Sequence, residues 1–243
     1  MFLPTLNYLF FSKLLFSVQT RPLGHLIHIH GHPGSGKTHI LYYLLASCTG
    51  AAIVFDMDGK FSMSRFKHLL LSSKVRRIEA LRIEGRTPDK AKNLDHIHIF
   101  RPTSSDQLAV TLAHLPKYHA KHFPDMALEM VAIHSLDAFY WLDRFKAEQL
   151  QSPNHSLQNI YSILQTIRFT LGSVVVLTDW GLGQSQHLHP QDNIHPKYQI
   201  TLSVTHTNSD ETHTLAVVKA PGQPETSRFT LRIGSNTLSL DVE

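Results

Sequence analysis

Cysteine is nearly absent from the 243-residue chain. With only Cys48 present, no internal disulfide can form, which excludes a small secreted scaffold held by such bonds. Charge is sparse as well. Only 17% of residues are charged, the formal net charge is +4, and the basic residues are scattered. That balance permits contact with nucleic acid without demanding it. Long apolar runs are missing too: the most apolar stretch, Met1 to Val18, is broken by Asn7, Ser12, Lys13 and Ser17. It has no basic segment ahead of it and no small-residue cleavage site, so it reads as a helix packing on the core or on a partner, not as a leader or anchor. No membrane association is expected. No internal repeat is visible, and the 18 histidines spread from His25 to His213 without forming one spaced ligand set.

What is present is a phosphate-binding signature. Gly31-His32-Pro33-Gly34-Ser35-Gly36-Lys37-Thr38 is a complete G-x-x-x-x-G-K-T. Glycines allow successive backbone N–H groups to turn inward around phosphate oxygens, and the following helix adds its positive end. Lys37 reaches the outer phosphates and the Thr38 hydroxyl is the candidate ligand for Mg2+. The flanks meet the structural condition that the motif imposes. Leu26 to His30 is predicted as a buried strand, and Thr38 to Ser47 carries Ile40, Leu41, Leu44 and Leu45 at helical spacing. His28, His30 and His32 alternate along that strand, and we take them as core packing and polarity toward the loop, not as a ligand triad.

Strands and helices alternate further along. Ala51 to Phe55 is a buried strand ending at Asp56, Ser62 to Arg82 is largely helical, and Gly85 to Asp89 is a turn. His96 to Phe100 is a third strand. Ser104 and Gln107 have capping-box spacing ahead of Leu108, Leu112 and Leu115, with Pro116 expected to end that helix. Leu128 to Ile133 is a fourth strand. Leu157, Ile160, Tyr161, Leu164, Ile167 and Leu171 mark another amphipathic helix, which feeds the apolar strand Val174 to Leu177. Gly181 to Pro196 is polar, contains no lysine or arginine, and is expected to be an exposed loop. Its His187, His189, His195 and Asp192 are too weak a pattern for a metal cluster. Gln199 to Thr207, Thr214 to Lys219, Arg228 to Ile233 and Thr237 to Leu240 then read as strands without helices between them. The expected fold class is α/β: a mostly parallel central sheet with helices on both faces and a C-terminal antiparallel β extension.

Together these features resemble the ATPase core of RecA and Rad-type recombinases. Phe55-Asp56-Met57-Asp58-Gly59-Lys60-Phe61, followed by Arg65, is similar to the family's I-D-T-E-G-x-F segment with its downstream arginine. Ser135-Leu136-Asp137-Ala138-Phe139-Tyr140-Trp141-Leu142-Asp143-Arg144 is similar to the S-L-S-A-F-Y-W-I-D-R stretch of one recombinase paralogue. The resemblance runs from about Leu23 to Leu240 in element order. It divides the chain into an apolar segment, 1–20, and a RecA-like ATP-binding domain, 21–243.

The resemblance implies ATP and Mg2+ as cofactors. Gly31, His32, Pro33, Gly34, Ser35, Gly36, Lys37 and Thr38 would hold the nucleotide, Thr38 the metal, and Asp58 would stand where the family's catalytic glutamate activates water. Three departures weaken catalysis. Asp58 is one methylene shorter than glutamate. His134 stands where most phosphate-loop ATPases place the aspartate of the magnesium shell, and Asp137, three residues on in the following helix, is not expected to substitute. Trp180 occupies the place of the family's polar γ-phosphate sensor, and packing against a neighbour is its expected role. Arg144 and Lys146 are the candidates for contact with DNA phosphates, with ordinary surface charge as the alternative. Lys219 to Glu225 is similar to the turn through which recombinases reach a neighbour's nucleotide, and its two prolines are equally the makings of a plain turn.

The function so implied is that of an adaptor in homologous recombination repair of double-strand breaks. It would act in the nucleus within a hetero-oligomeric complex of other recombinase paralogues. DNA, single-stranded or branched, would be touched weakly or through those partners. An active DNA-dependent ATPase is the alternative. A nucleotide kinase ranks below both, because the C-terminal third lacks an arginine-rich lid.

Overall fold

A computed structural model describes residues 24–48, 50–69, 94–151, 156–180, 198–207, 211–219, 227–234 and 238–242. The apolar segment 1–20, the turn at 85–89, the loop at 181–196 and the turn at 220–225 lie outside these residues.

The strands are β1 (Leu26–Gly31), β2 (Ala51–Asp56), β3 (Ile97–Phe100), β4 (Leu128–His134), β5 (Val174–Asp179), β6 (Tyr198–Thr207), β7 (Glu211–Lys219), β8 (Ser227–Gly234) and β9 (Leu238–Val242). The α-helices are α1 (Lys37–Ser47), α2 (Ser105–His122), α3 (Tyr140–Leu150) and α4 (Ser156–Leu171). Residues 63–69 are also helical, which agrees with the helix expected from Ser62 as far as the described residues reach.

Among the described residues the strands form one sheet of nine, in the order β3-β2-β4-β5-β1-β6-β7-β8-β9. The pairs from β3 through β6 are parallel, and β6 through β9 form the antiparallel extension that the sequence predicts. Alternating side chains feed two apolar layers. On one face Ile27, Ile29, Val54, Ala132 and Val176 meet Ile40, Leu41, Leu44 and Leu45 of α1. On the other, Ile53, Phe55, Val131, Ile133 and Leu177 meet Leu108, Leu112 and Leu115 of α2 and Ile160, Leu164 and Ile167 of α4. Each such valine, leucine, isoleucine or phenylalanine side chain, fully withdrawn from water, stabilises the fold by about 1.5–3 kcal/mol.

The structure corrects two expectations. Pro116 does not end its helix, because α2 continues to His122. Its missing N–H and its ring cost about 3 kcal/mol. Buried Leu108, Leu112 and Leu115 hold the helix before the proline. Beyond it, the Tyr118 hydroxyl lies 2.7 Å from His98 Nδ1 and its ring meets Phe100. Asp137 is not helical either: residues 135–139 form turns and α3 begins at Tyr140. The Ser104 cap is present, its Oγ accepting the Gln107 N–H at 3.1 Å, although Gln107 returns its side chain to Thr103.

β1 lies between β5 and β6, and the chain leaves it to build strands on either side. In such sheets ligands occupy the crevice outside the carboxyl ends where strand order reverses. Gly31, Asp56, His134 and Asp179, the last residues of β1, β2, β4 and β5, converge there.

Candidate functional site

The phosphate loop joins β1 to α1. Gly36 caps α1 in the left-handed region at φ +92°, offers no side-chain cap, and the first turn contains no acidic residue. The leading N–H groups and the positive end of the helix are therefore left for a ligand. Ser35 is fully buried, and its Oγ has no hydrogen-bond partner among the described residues. Lys37 is 7% exposed and folds back over the loop, donating to Gly31 O at 2.6 Å and His32 O at 2.9 Å. Burial lowers its pKa, against the attraction of Asp137, Asp179 and Asp58. A side chain at Gly31 would fall 2.5 Å from Ser35 Oγ and 2.8 Å from Leu202 O, so only glycine lets the loop close on β6.

Thr38 follows on the first turn of α1, and its Oγ1 lies 2.8 Å from His134 Nε2. Behind the imidazole stand two carboxylates, delivered by the pairing of Asp56 with His134 across β2 and β4. His134 Nδ1 lies 3.1 Å from Asp58 Oδ1 and 3.5 Å from Asp56 Oδ1, aligned with neither, so the contact is more ionic than a straight hydrogen bond. Burial lowers the His134 pKa, but Asp56 and Asp58 outweigh it and the net direction is upward. Burial likewise opposes ionisation of Asp58, yet His134, the Ser135 hydroxyl and the Lys60 N–H hold its carboxyl well below the usual range. Ser135 Oγ donates to Asp58 Oδ2 at 2.9 Å, and Lys60 Nζ lies 3.5 Å from the same oxygen. Asp56 accepts from Arg101 Nε and from the Phe61 N–H, both at 3.1 Å.

Ser135 itself has φ +61°, a strained position for a side-chain-bearing residue. It is fixed from β5: its N–H donates to Thr178 Oγ1 at 2.9 Å and the Leu136 N–H to Thr178 O at 2.8 Å. Asp137 accepts the Trp180 N–H at 2.8 Å. The Trp180 ring lies under Lys60 Nζ, 5.4 Å from its centroid, so it packs against a neighbour as the sequence suggests. Arg65 sits 3.3 Å from both ring nitrogens of His39 on α1. Arg144 pairs with Glu148 at 2.9 Å and Lys146 lies 3.9 Å from Asp106.

Ser135 and Arg101 as partners of Asp58 and Asp56 were invisible to sequence reasoning. So was the pairing of His28 and His30 with Asp179, at 2.5 and 2.7 Å, whereas His32 is exposed on the loop. The H-x-H alternation was the signal available, but its partner strand was not.

No protein-family model matches the chain. Among the described residues, no helix is long and apolar enough to cross a membrane. The residues at the loop fit a polyphosphate in three respects: an uncapped helix end, an orphaned buried hydroxyl and a lysine. The donors around Thr38 fit magnesium poorly, since its hydroxyl is met by a nitrogen whose ring is biased toward the cationic form, while this ion prefers oxygen and retained water.

Proposed function

We propose that the chain is an ATP-binding recombinase paralogue with a RecA-like core. It is similar to the DNA repair protein of X-ray repair cross-complementing group two, and acts as an adaptor in homologous recombination repair within the nucleus, with weak or absent hydrolysis. The observation that carries this reading is the His134 contact to Thr38. It puts an imidazole where hydrolysis calls for a carboxylate, next to a loop otherwise built to hold phosphates. Asp58 supports the same conclusion. A general base must be free to accept a proton and basic enough to keep it. The Asp58 oxygens already accept from Ser135 Oγ and the Lys60 N–H, and its carboxyl is only weakly basic.

In this role nucleotide stabilises the folded state by mass action and sets the surface that partner paralogues recognise. Arg144 and Lys146 remain about half exposed, paired only across the surface with Glu148 and Asp106, so DNA would be touched weakly by them or through partners. Trp141, Leu142, Phe145 and Leu150 leave an exposed apolar face on α3, in keeping with a protein that works in a complex.

The second reading, a DNA-dependent ATPase with Asp58 as base, draws on one observation: Asp58 is ionised and its side chain remains 12% exposed. Calorimetry and turnover separate the two. The adaptor binds ATP, loses it by about 100-fold in Lys37→Ala, and hydrolyses far below 1 per second with single-stranded DNA. Turnover at or above roughly 1 per second overturns it. Absence of ATP binding by folded protein, alone or with co-purifying recombinase paralogues, overturns both.

A further inference from the structure

We propose that His28, His30 and Asp179 form a binding site for a first-row divalent transition metal ion, zinc foremost, which ties β1 to β5 beneath the phosphate loop.

The placement follows from strand geometry. His28 and His30 are two residues apart on β1, so their side chains leave the same face, opposite to Ile27 and Ile29, which pack with α1. β5 runs parallel beside β1 and sets Asp179 directly across from His30. The Asp179 carboxylate then divides between the rings: Oδ2 lies 2.5 Å from His28 Nε2 and Oδ1 lies 2.7 Å from His30 Nδ1. The ring centroids are 3.6 Å apart, and the three donor atoms all fall within 4.8 Å of one another. All three residues are buried, at 4%, 2% and 9% exposure.

The chemistry of the donors fits as well. Two imidazole nitrogens and one carboxylate are the set found in zinc centres and in other sites that prefer nitrogen. A tetrahedral ion 2.0–2.1 Å from its ligands spaces them by about 3.3 Å, so the present contacts need open by less than about 1 Å. An ion at the centre replaces the protons that bridge Asp179 to the rings. Those protons pass to the far ring nitrogens or to water. Three protein donors leave a position for water.

The cluster of Asp56, Asp58 and His134 is the competing place for a cation, and it makes the test specific. Full-length protein purified without a histidine tag is stripped with chelator and titrated with Co2+ as the probe, followed by visible absorption and by Zn2+ displacement. The expected result is one equivalent bound at micromolar protein, with nitrogen- and oxygen-ligated d–d bands and a rise in the thermal midpoint with Zn2+. His28→Gln and Asp179→Asn weaken that binding by more than about 100-fold, whereas Asp58→Asn retains it. Failure of the wild-type chain to take up either metal overturns the proposal even if the variants do not fold. So does cobalt binding that is unchanged in His28→Gln and Asp179→Asn, or lost in Asp58→Asn.

Discussion

Thr38 Oγ1 and His134 Nε2 stand 2.8 Å apart at the mouth of the phosphate loop, and two carboxylates, Asp56 and Asp58, face the other side of the same ring. The imidazole thus neutralises a pair of acids that would otherwise repel each other or recruit a cation. His134→Asp removes that neutralisation and brings a third carboxylate to the same spot. The variant is expected to lose about 2–4 kcal/mol of stability in chelator and to regain part of it in millimolar Mg2+. The wild-type midpoint is expected to move little with the metal alone. Thermal unfolding of both proteins with and without Mg2+ checks this, and equal responses count against the role assigned to His134.

Gly36 ties the loop to the antiparallel extension. A Cβ at this position would fall 2.0 Å from Ile233 Cδ1 on β8, and the backbone is at φ +92°. Gly36→Ala therefore incurs a left-handed strain of about 1 kcal/mol and an overpacking cost of about 1–3 kcal/mol. It also shifts the N–H groups that open α1, so ATP affinity falls with stability. Adding Ile233→Ala is expected to relieve the overpacking and leave the strain. Denaturant unfolding of the two singles and the double gives a coupling energy, which should favour the double variant over the sum of its parts.

The parallel half of the sheet was legible because its signals are local. Val174-Val175-Val176-Leu177 can only be a buried strand, and the glycines before Lys37 lead from strand to helix within a few residues. Pro116 misled for the opposite reason: its local cost is overridden by contacts from Leu115 and Tyr118 to elements the sequence does not place beside it. The site was legible only in its residue types. His134 and Asp58 were visible as departures from a resemblance, but their pairing depends on β2 lying next to β4. The bond from Ser135 to Asp58 spans 77 positions, and those from His28 and His30 to Asp179 span 151 and 149, distances over which periodicity carries no information.

Two carboxylates should respond to pH with opposite signs, and comparing them tests the electrostatics away from any ligand. Burial raises the Asp143 pKa, with Asp106 adding to the rise and Ser105 and Lys146 opposing it. Ser105 Oγ donates to Asp143 Oδ2 at 2.5 Å. Because the folded state holds this proton more tightly than the unfolded chain, stability falls as pH rises from the ordinary carboxylate range through the raised value. Asp143→Asn is expected to match or exceed the wild-type midpoint at pH 7 and to lose that advantage below about pH 4.

Asp58 has the opposite sign. Its folded pKa lies below the ordinary range, despite burial, because His134, Ser135 and the Lys60 N–H stabilise the charge. The folded state therefore releases this proton more readily than the unfolded chain. The stability so gained is present above about pH 4 and is lost as pH falls toward the folded value. Asp58→Asn leaves His134 with Asp56 as its remaining carboxylate, at 3.5 Å, so it should lower stability at pH 7 by about 1 kcal/mol after allowance for solvent screening. The deficit should shrink in acid. Over pH 3 to pH 7 the two variants should diverge from wild type in opposite directions at neutrality; the Asp143→Asn advantage should vanish at the acid end, whereas the Asp58→Asn deficit should only begin to shrink there, since the folded Asp58 carboxyl keeps its charge to lower pH still. If Asp58→Asn is as stable as wild type at pH 7, the carboxylate is not held by His134 and Ser135, and the account of Asp58 as an engaged, weakly basic group fails.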